Sequence, residues 1–143
     1  MQEAFGLKDE GAFKAASGLH GGIGGKRDVC GALLGASLML GLMFGNSMEE
    51  SGKPKQPHKP GELDTPTRLV GELYKWFKKE FGSVKCQSIQ ARHVKEVNAE
   101  PDASKLTDME RMHRIFDKCN RLTGKTAAKT AELILDATET GGK

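Results

Sequence analysis

The sequence predicts an all-α protein, a compact multi-helix bundle around a buried central helix rich in Gly and Ala. Three observations carry that prediction. Apolar residues recur at helical spacing, most regularly at Leu69, Leu73, Trp76, Phe77 and Phe81. Residues suited to capping precede such runs at Asp28, Thr65 and Thr107–Asp108. Period-two alternation, the mark of a half-buried strand, is nowhere sustained. At 143 residues the chain is one domain's worth, enough for a single modest core, so residues 1–143 are read as one helical domain.

Each element has its own signals. Gln2 to Phe5 read as the end of a helix stopped at Gly6. Asp9 can cap a short second helix that shows Ala12, Phe13 and Ala16 on one face before Gly18 ends it. A glycine loop follows, and Asp28 then serves as an N-cap, placing Val29 at the first helical position and Cys30 at the second. That helix runs to Gly45–Asn46. Residues 47–64 carry Pro54, Pro57 and Pro60 among lysines, glutamates and glycines, and read as a solvated linker or loop. Thr65–Pro66 supply an N-cap and a first-turn proline for the helix with the aromatic stripe, which Gly82 stops. Ser83 can cap a further turn with Cys86 at its third position. Gln90 to Ser104 read as irregular, although Val94 and Val97 permit a short strand. Thr107 or Asp108 caps a helix through Met112, Ile115, Phe116 and Cys119. A final stretch from Asn120 to Ala137 has Leu122, Ala127, Ala131, Ile134 and Leu135 as apolar positions, with Gly124 as the expected break.

Composition narrows the function. The net charge is only +3, so nothing global points to nucleic acid. The uncharged run Val29–Phe44 has 16 residues, short of the roughly 20 that a spanning helix needs. Its small residues instead suit close helix packing, so membrane insertion is not expected. No basic leader with an apolar core is read at the start, and three widely spaced cysteines suit a reducing, cytoplasmic setting. Their separations of 56 and 33 residues are not those of zinc fingers; the fold would have to assemble any shared site.

The chemistry concentrates in Gly21-Gly22-Ile23-Gly24-Gly25-Lys26-Arg27-Asp28-Val29-Cys30-Gly31. A helix N-terminus favours thiolate over thiol, and Lys26 and Arg27 add to this while Asp28 opposes it. The competing reading is a small buried cysteine packed between glycines. A Walker loop fails because His20 stands where its first glycine belongs and Arg27 replaces the Ser or Thr. A dinucleotide fingerprint fails because Arg27 occupies the third glycine position. The loop reads instead as one that turns sharply and approaches a thiolate or cluster through Gly22, Gly24, Gly25, Cys30 and Gly31. Of the histidines, His58, His93 and His20 default to solvent. His113 lies six residues from Cys119 and so points elsewhere, and His20 alone could add a fourth ligand.

Cys30-Gly31-Ala32-Leu33-Leu34-Gly35 reads CGAxxG, and it resembles the redox-active family named C_GCAxxG_C_C after its four cysteines. Ala15-Ala16-Ser17-Gly18 with the glycine loop is similar to the segment ahead of that motif. Leu40-Gly41-Leu42 and Phe44-Gly45 are similar to the segment after it. Glu80-Phe81-Gly82-Ser83-Val84-Lys85-Cys86 resembles the third-cysteine region, and Lys118-Cys119 suits the fourth. The family's first cysteine would align upstream of Met1, so this chain matches with Cys30, Cys86 and Cys119.

The resemblance implies a redox role in which these three cysteines gather at one locus. They would act catalytically by thiol–disulfide exchange, or as metal ligands in an iron–sulfur or other metal centre. In the exchange version Cys30 attacks, and Cys86 or Cys119 resolves the mixed disulfide formed with a redox partner protein. With three thiolates, a four-thiolate cluster would need His20, an external thiol or another subunit's cysteine. The alternative is a non-catalytic helical binding or assembly module with inert cysteines, a homodimer through the small-residue helix.

Overall fold

The structure is a computed structural model and describes residues 2–47 and 63–140. Apart from its ends, the proline-rich segment expected as a linker lies outside the described residues. Those residues form five α-helices, α1 Glu10–Ala16, α2 Gly31–Phe44, α3 Thr65–Phe81, α4 Cys86–Asn98 and α5 Asp108–Thr140. Short 3-10 turns stand at Glu3–Phe5, Ser17–Leu19 and Ala103–Lys105. The fold is all-α, as the sequence predicts. The only β pairing among the described residues is one antiparallel bridge, Val29 to Lys85.

α2 lies against α3 and α5, and α5 continues along α3 and α4. The core is the meeting of their apolar stripes: Leu33, Ala36, Met39 and Leu40 of α2, Leu69, Leu73, Phe77 and Phe81 of α3, Ile89 of α4, and Leu122, Leu133 and Ile134 of α5. α2 carries no charge, yet only one face enters this core. Its 14 residues span about 21 Å, and no described helix is long and apolar enough to cross a membrane.

The helix ends explain where the reading of boundaries slips. Asp64, not Thr65, is the N-cap of α3, its carboxylate accepting from the Thr67 amide at 3.2 Å. Thr65 and Pro66 then occupy the first turn, where a missing proline N–H costs nothing. At α1, Asp9 accepts from the Ala12 amide at 2.8 Å as expected. The seven residues of α1 nevertheless bury none of their side chains, and Phe13 is 70% exposed. The Thr107–Glu110 pair forms a reciprocal capping box, with Glu110 accepting from the Thr107 amide at 2.9 Å and Thr107 Oγ1 accepting from the Glu110 amide at 3.2 Å.

Two expectations fail in informative ways. Gln90 to Asn98 are helical, part of α4, because Ile89, His93 and Val97 form a buried stripe at four-residue spacing whose middle position is a histidine. Gly124 does not break α5, which runs unbroken for 33 residues, about 50 Å. On the core side of α5 sit Thr126 and Thr130, both buried. Their hydroxyls donate to the carbonyls of Leu122 and Thr126 at 2.8 and 2.7 Å, which makes the burial tolerable. Leu135, read as apolar core, is exposed.

Gly124 is itself exposed, and an added Cβ would meet nothing within 4 Å. Gly124→Ala should therefore raise stability by about 0.5–1 kcal/mol, the helix-interior penalty of glycine. Chemical denaturation checks it, with the midpoint moving up and the slope unchanged.

Candidate functional site

The site is built where the glycine loop crosses the start of α4. Gly21, Gly22, Ile23, Gly24 and Gly25 hold φ of 63, 75, 62, 56 and 74°, five successive residues in the left-handed region, and Arg27 follows at 58°. Glycine tolerates this backbone, whereas Ile23 and Arg27 do not do so cheaply. Amides within the loop bond to carbonyls up to six residues back, Gly24 to Gly18 at 2.9 Å, Arg27 to Gly21 at 3.0 Å and Asp28 to Gly22 at 3.1 Å. Those bonds hold the strained turn in place. Gly22 is buried, and a Cβ there would lie 2.9 Å from Cys86 Cβ and 3.0 Å from both Arg27 Cα and the Val29 carbonyl oxygen. The loop thus brings its bare backbone against Cys86. Gly24 and Gly25 face open space, and Gly31 opens α2 with its missing Cβ 3.5 Å from the Leu19 carbonyl oxygen.

Beyond the loop the chain pairs briefly with the segment ahead of α4. The Cys30 amide donates to the Val84 carbonyl at 2.9 Å, the Cys86 amide to Asp28 at 2.6 Å and the Gln87 amide to Arg27 at 2.8 Å. Cys30 and Cys86 are thus diagonal neighbours across the antiparallel Val29–Lys85 bridge. Their placement on the helices differs from the sequence reading. Cys30 is the N-cap residue of α2, not its second position, and its side chain caps no amide. Asp28 gives its carbonyl to Cys86 and is not a cap. Cys86 is the first residue of α4, not the third, and Lys85 stands at the N-cap. Ser83 supports that turn by accepting from the Lys85 amide at 3.1 Å.

The expectation that each helix end favours an anionic sulfur does not hold for Cys86. The α4 amides of Cys86 and Gln87 are already taken by the Asp28 and Arg27 carbonyls. Burial pushes the Cys86 thiol above its usual pKa, the charge of Cys30 adds to that, and the Arg27 guanidinium opposes both. Cys119 is raised likewise, first by burial, then by the charges of Cys30 and Cys86. The three cysteines are free, partly buried, and near enough for the charge of one to act on another. Like-charge repulsion means that such a group carries one thiolate more readily than two.

α5 brings Cys119 alongside His93 of α4, with Sγ 3.6 Å from Nδ1. His93 is not solvated, as the sequence reading supposed, but only 7% exposed. Burial lowers its pKa below the usual value, with Arg92 and Lys118 pushing the same way and Glu96 opposing. The signal that could have found it is positional. His93 lies seven residues after Cys86, on the stripe of Ile89 and Val97, and becomes visible once α4 is recognised as a helix. His20 and His113 are exposed.

Salt bridges fasten α5 in this position. Arg114 bonds both oxygens of Asp102, at 2.9 and 2.6 Å, and also Glu100. Its guanidinium holds the Asp102 carboxyl below the usual carboxylate range. Lys118 pairs with Glu96 of α4 at 3.1 Å, one residue before Cys119.

Thiolates are metal ligands. Among the described residues, however, no set of three or more His, Cys, Asp or Glu side chains is arranged to hold a metal ion. The donors as placed do not form a cage for one.

A left-handed glycine turn, a short backbone bridge and three free thiols define a helical thiol protein. The chain belongs to the family described as "Putative redox-active protein (C_GCAxxG_C_C)", whose model matches residues 1–133. No curated protein and no solved structure matches it.

Proposed function

We propose that this protein carries out thiol–disulfide exchange through Cys30, Cys86 and Cys119. The observation that supports the reading is the mutual influence of three free, partly buried thiols in a chain of a redox-active family. In this reading Cys30 is the first nucleophile and Cys86 or Cys119 resolves, since the charge of Cys30 acts on both of the others. The Cys30 thiolate attacks one sulfur of a disulfide on a partner, forms a mixed disulfide and releases the partner's other sulfur as thiolate. A second cysteine, as thiolate, then attacks Cys30 Sγ and releases the remaining partner sulfur. Two electrons pass to the partner disulfide, which leaves as two thiols with the two protons that the cysteines give up.

The test is native-state titration with glutathione disulfide, trapping by acid alkylation and peptide mass spectrometry. Wild type should form one intramolecular disulfide that includes Cys30, leaving one thiol free. Cys30→Ser should lose the rapid reaction, and the variant lacking the resolving cysteine should accumulate the glutathione adduct. Thiols that react only once the chain is unfolded would overturn the reading, and would leave the helical binding module with structural cysteines.

A further inference from the structure

We propose that His93 is the proton acceptor of Cys119, its Nδ1 taking the thiol proton as Cys119 becomes the resolving nucleophile. The inference deepens the exchange reading and rests on it for the identity of the reaction, but not for the proton transfer. The geometry points to it in three ways. Cys119 Sγ and His93 Nδ1 are hydrogen-bonded at 3.6 Å. The ring is more than nine-tenths buried on α4, packed against the helix that carries the thiol. Both ends are braced, Lys118 by Glu96 and Arg114 by Glu100 and Asp102, so the two helices hold the contact.

A buried imidazole carries a desolvation cost that an apolar side chain would not, and Ile89 and Val97 on the same stripe show what the position otherwise takes. Charged groups around the ring come from both helices. Arg92 and Glu96 face it from α4 and Lys118 from α5, and Cys119 is the thiol; no charge of the Ala103–Lys105 turn bears on it. A neutral ring has one unprotonated nitrogen, and the 3.6 Å contact puts Nδ1 where it can take the thiol proton. The exchange reading places the mixed disulfide at Cys30, whose charge acts on Cys119.

The step balances. Nδ1 takes the proton of Cys119, and Sγ attacks Cys30 Sγ of the Cys30–partner disulfide. The Cys30–Cys119 bond forms as the Cys30–partner bond breaks. The partner leaves as thiolate and takes the proton back from His93, so the ring ends as it began. The oxidant is the mixed disulfide itself.

The test reads Cys119 alone, by peptide mass spectrometry of native protein alkylated with iodoacetamide between pH 5 and 10. Without a base, thiol reactivity rises tenfold per pH unit up to the thiol pKa. With His93 as acceptor, the Cys119 thiolate–imidazolium pair has the same net charge as the thiol–imidazole pair. Its population is then independent of pH between the two pKa values. The Cys119 rate should accordingly level off once the imidazole is neutral, and resume its tenfold rise only where unpaired thiolate outweighs the ion pair. His93→Asn, which keeps a polar atom near the Nδ1 position, should abolish the plateau. It should also slow Cys119 at pH 7 by about 10-fold or more, against the 10²–10⁴ typical of positioned acid–base groups.

A wild-type profile that climbs tenfold per unit throughout would overturn the inference, and that measurement needs no variant to fold. A plateau that persists in folded His93→Asn would overturn it too. Glutathione exchange without the plateau defeats the His93 role alone. The plateau without exchange defeats the exchange reading and leaves the proton transfer standing.

Discussion

Gly22→Ala should cost about 2–5 kcal/mol, from two additive causes that a second variant separates. The first is backbone conformation. A φ of 75° costs an L-residue roughly 1–2 kcal/mol. The second is space. A Cβ at residue 22 would sit 2.9 Å from Cys86 Cβ and 3.0 Å from two backbone atoms, Arg27 Cα and the Val29 carbonyl oxygen. Backbone cannot swing aside as a flexible side chain can, and overpacking of this sort typically costs about 1–3 kcal/mol. Gly24 shares the left-handed backbone, with φ of 56°, but its missing Cβ faces nothing within 4 Å. Gly24→Ala should therefore show only the conformational part. Equal losses in the two variants, read from denaturant midpoints at constant slope, would mean that Gly22 is not pressed against Cys86. The larger loss should come with faster alkylation of Cys86 than of Cys119, because relief of the clash lifts the loop off the Cys86 side chain.

That contrast also shows what the sequence could and could not reveal. The glycines announced a tight turn near a cysteine, since five glycines in eight residues leave little else. Which of them touches Cys86 depends on a loop folding back across a segment more than 60 residues away, and no local pattern encodes that. α3 was legible because Leu69, Leu73, Phe77 and Phe81 repeat on one face and glycine stops them. α4 was not, because Arg92, Val94 and Lys95 interrupt a stripe only three residues deep, and His93 occupies one of its core positions. A polar residue in an apolar stripe looks like noise until its partner is known. Here the partner is Cys119, 26 residues on. The joining of α5 across Gly124 was hidden for the opposite reason. An exposed glycine looks like a stop, but packing on α2, α3 and α4 outweighs its roughly 1 kcal/mol penalty.

Phe77→Ala should be the most damaging single truncation in the core, at about 3–5 kcal/mol. The ring is fully buried and is the largest side chain among the described residues to be so. Its centroid lies 4.7 Å from that of Phe81, inclined at 63°, and Phe81 in turn meets Trp76 edge-on at 5.6 Å. Removing it loses the apolar transfer energy, the aromatic contact and the support of Phe81 at once. Helices α2, α3 and α5 meet at this cluster, so none can close the cavity without leaving another contact. For a domain stable by about 5–15 kcal/mol, such a loss should lower the thermal midpoint by roughly 10–20 °C. Phe116→Ala is the matched control, since that ring is 50% exposed on α5 and its loss should stay within about 1 kcal/mol. The damage should also reach the thiols. Phe81 is the last residue of α3, and its carbonyl accepts from the Arg92 guanidinium of α4, so the turn that delivers Cys86 hangs from it. Urea denaturation of the two variants decides the matter. A Phe77→Ala loss below about 1 kcal/mol would show that the α3 stripe is not the centre of the core.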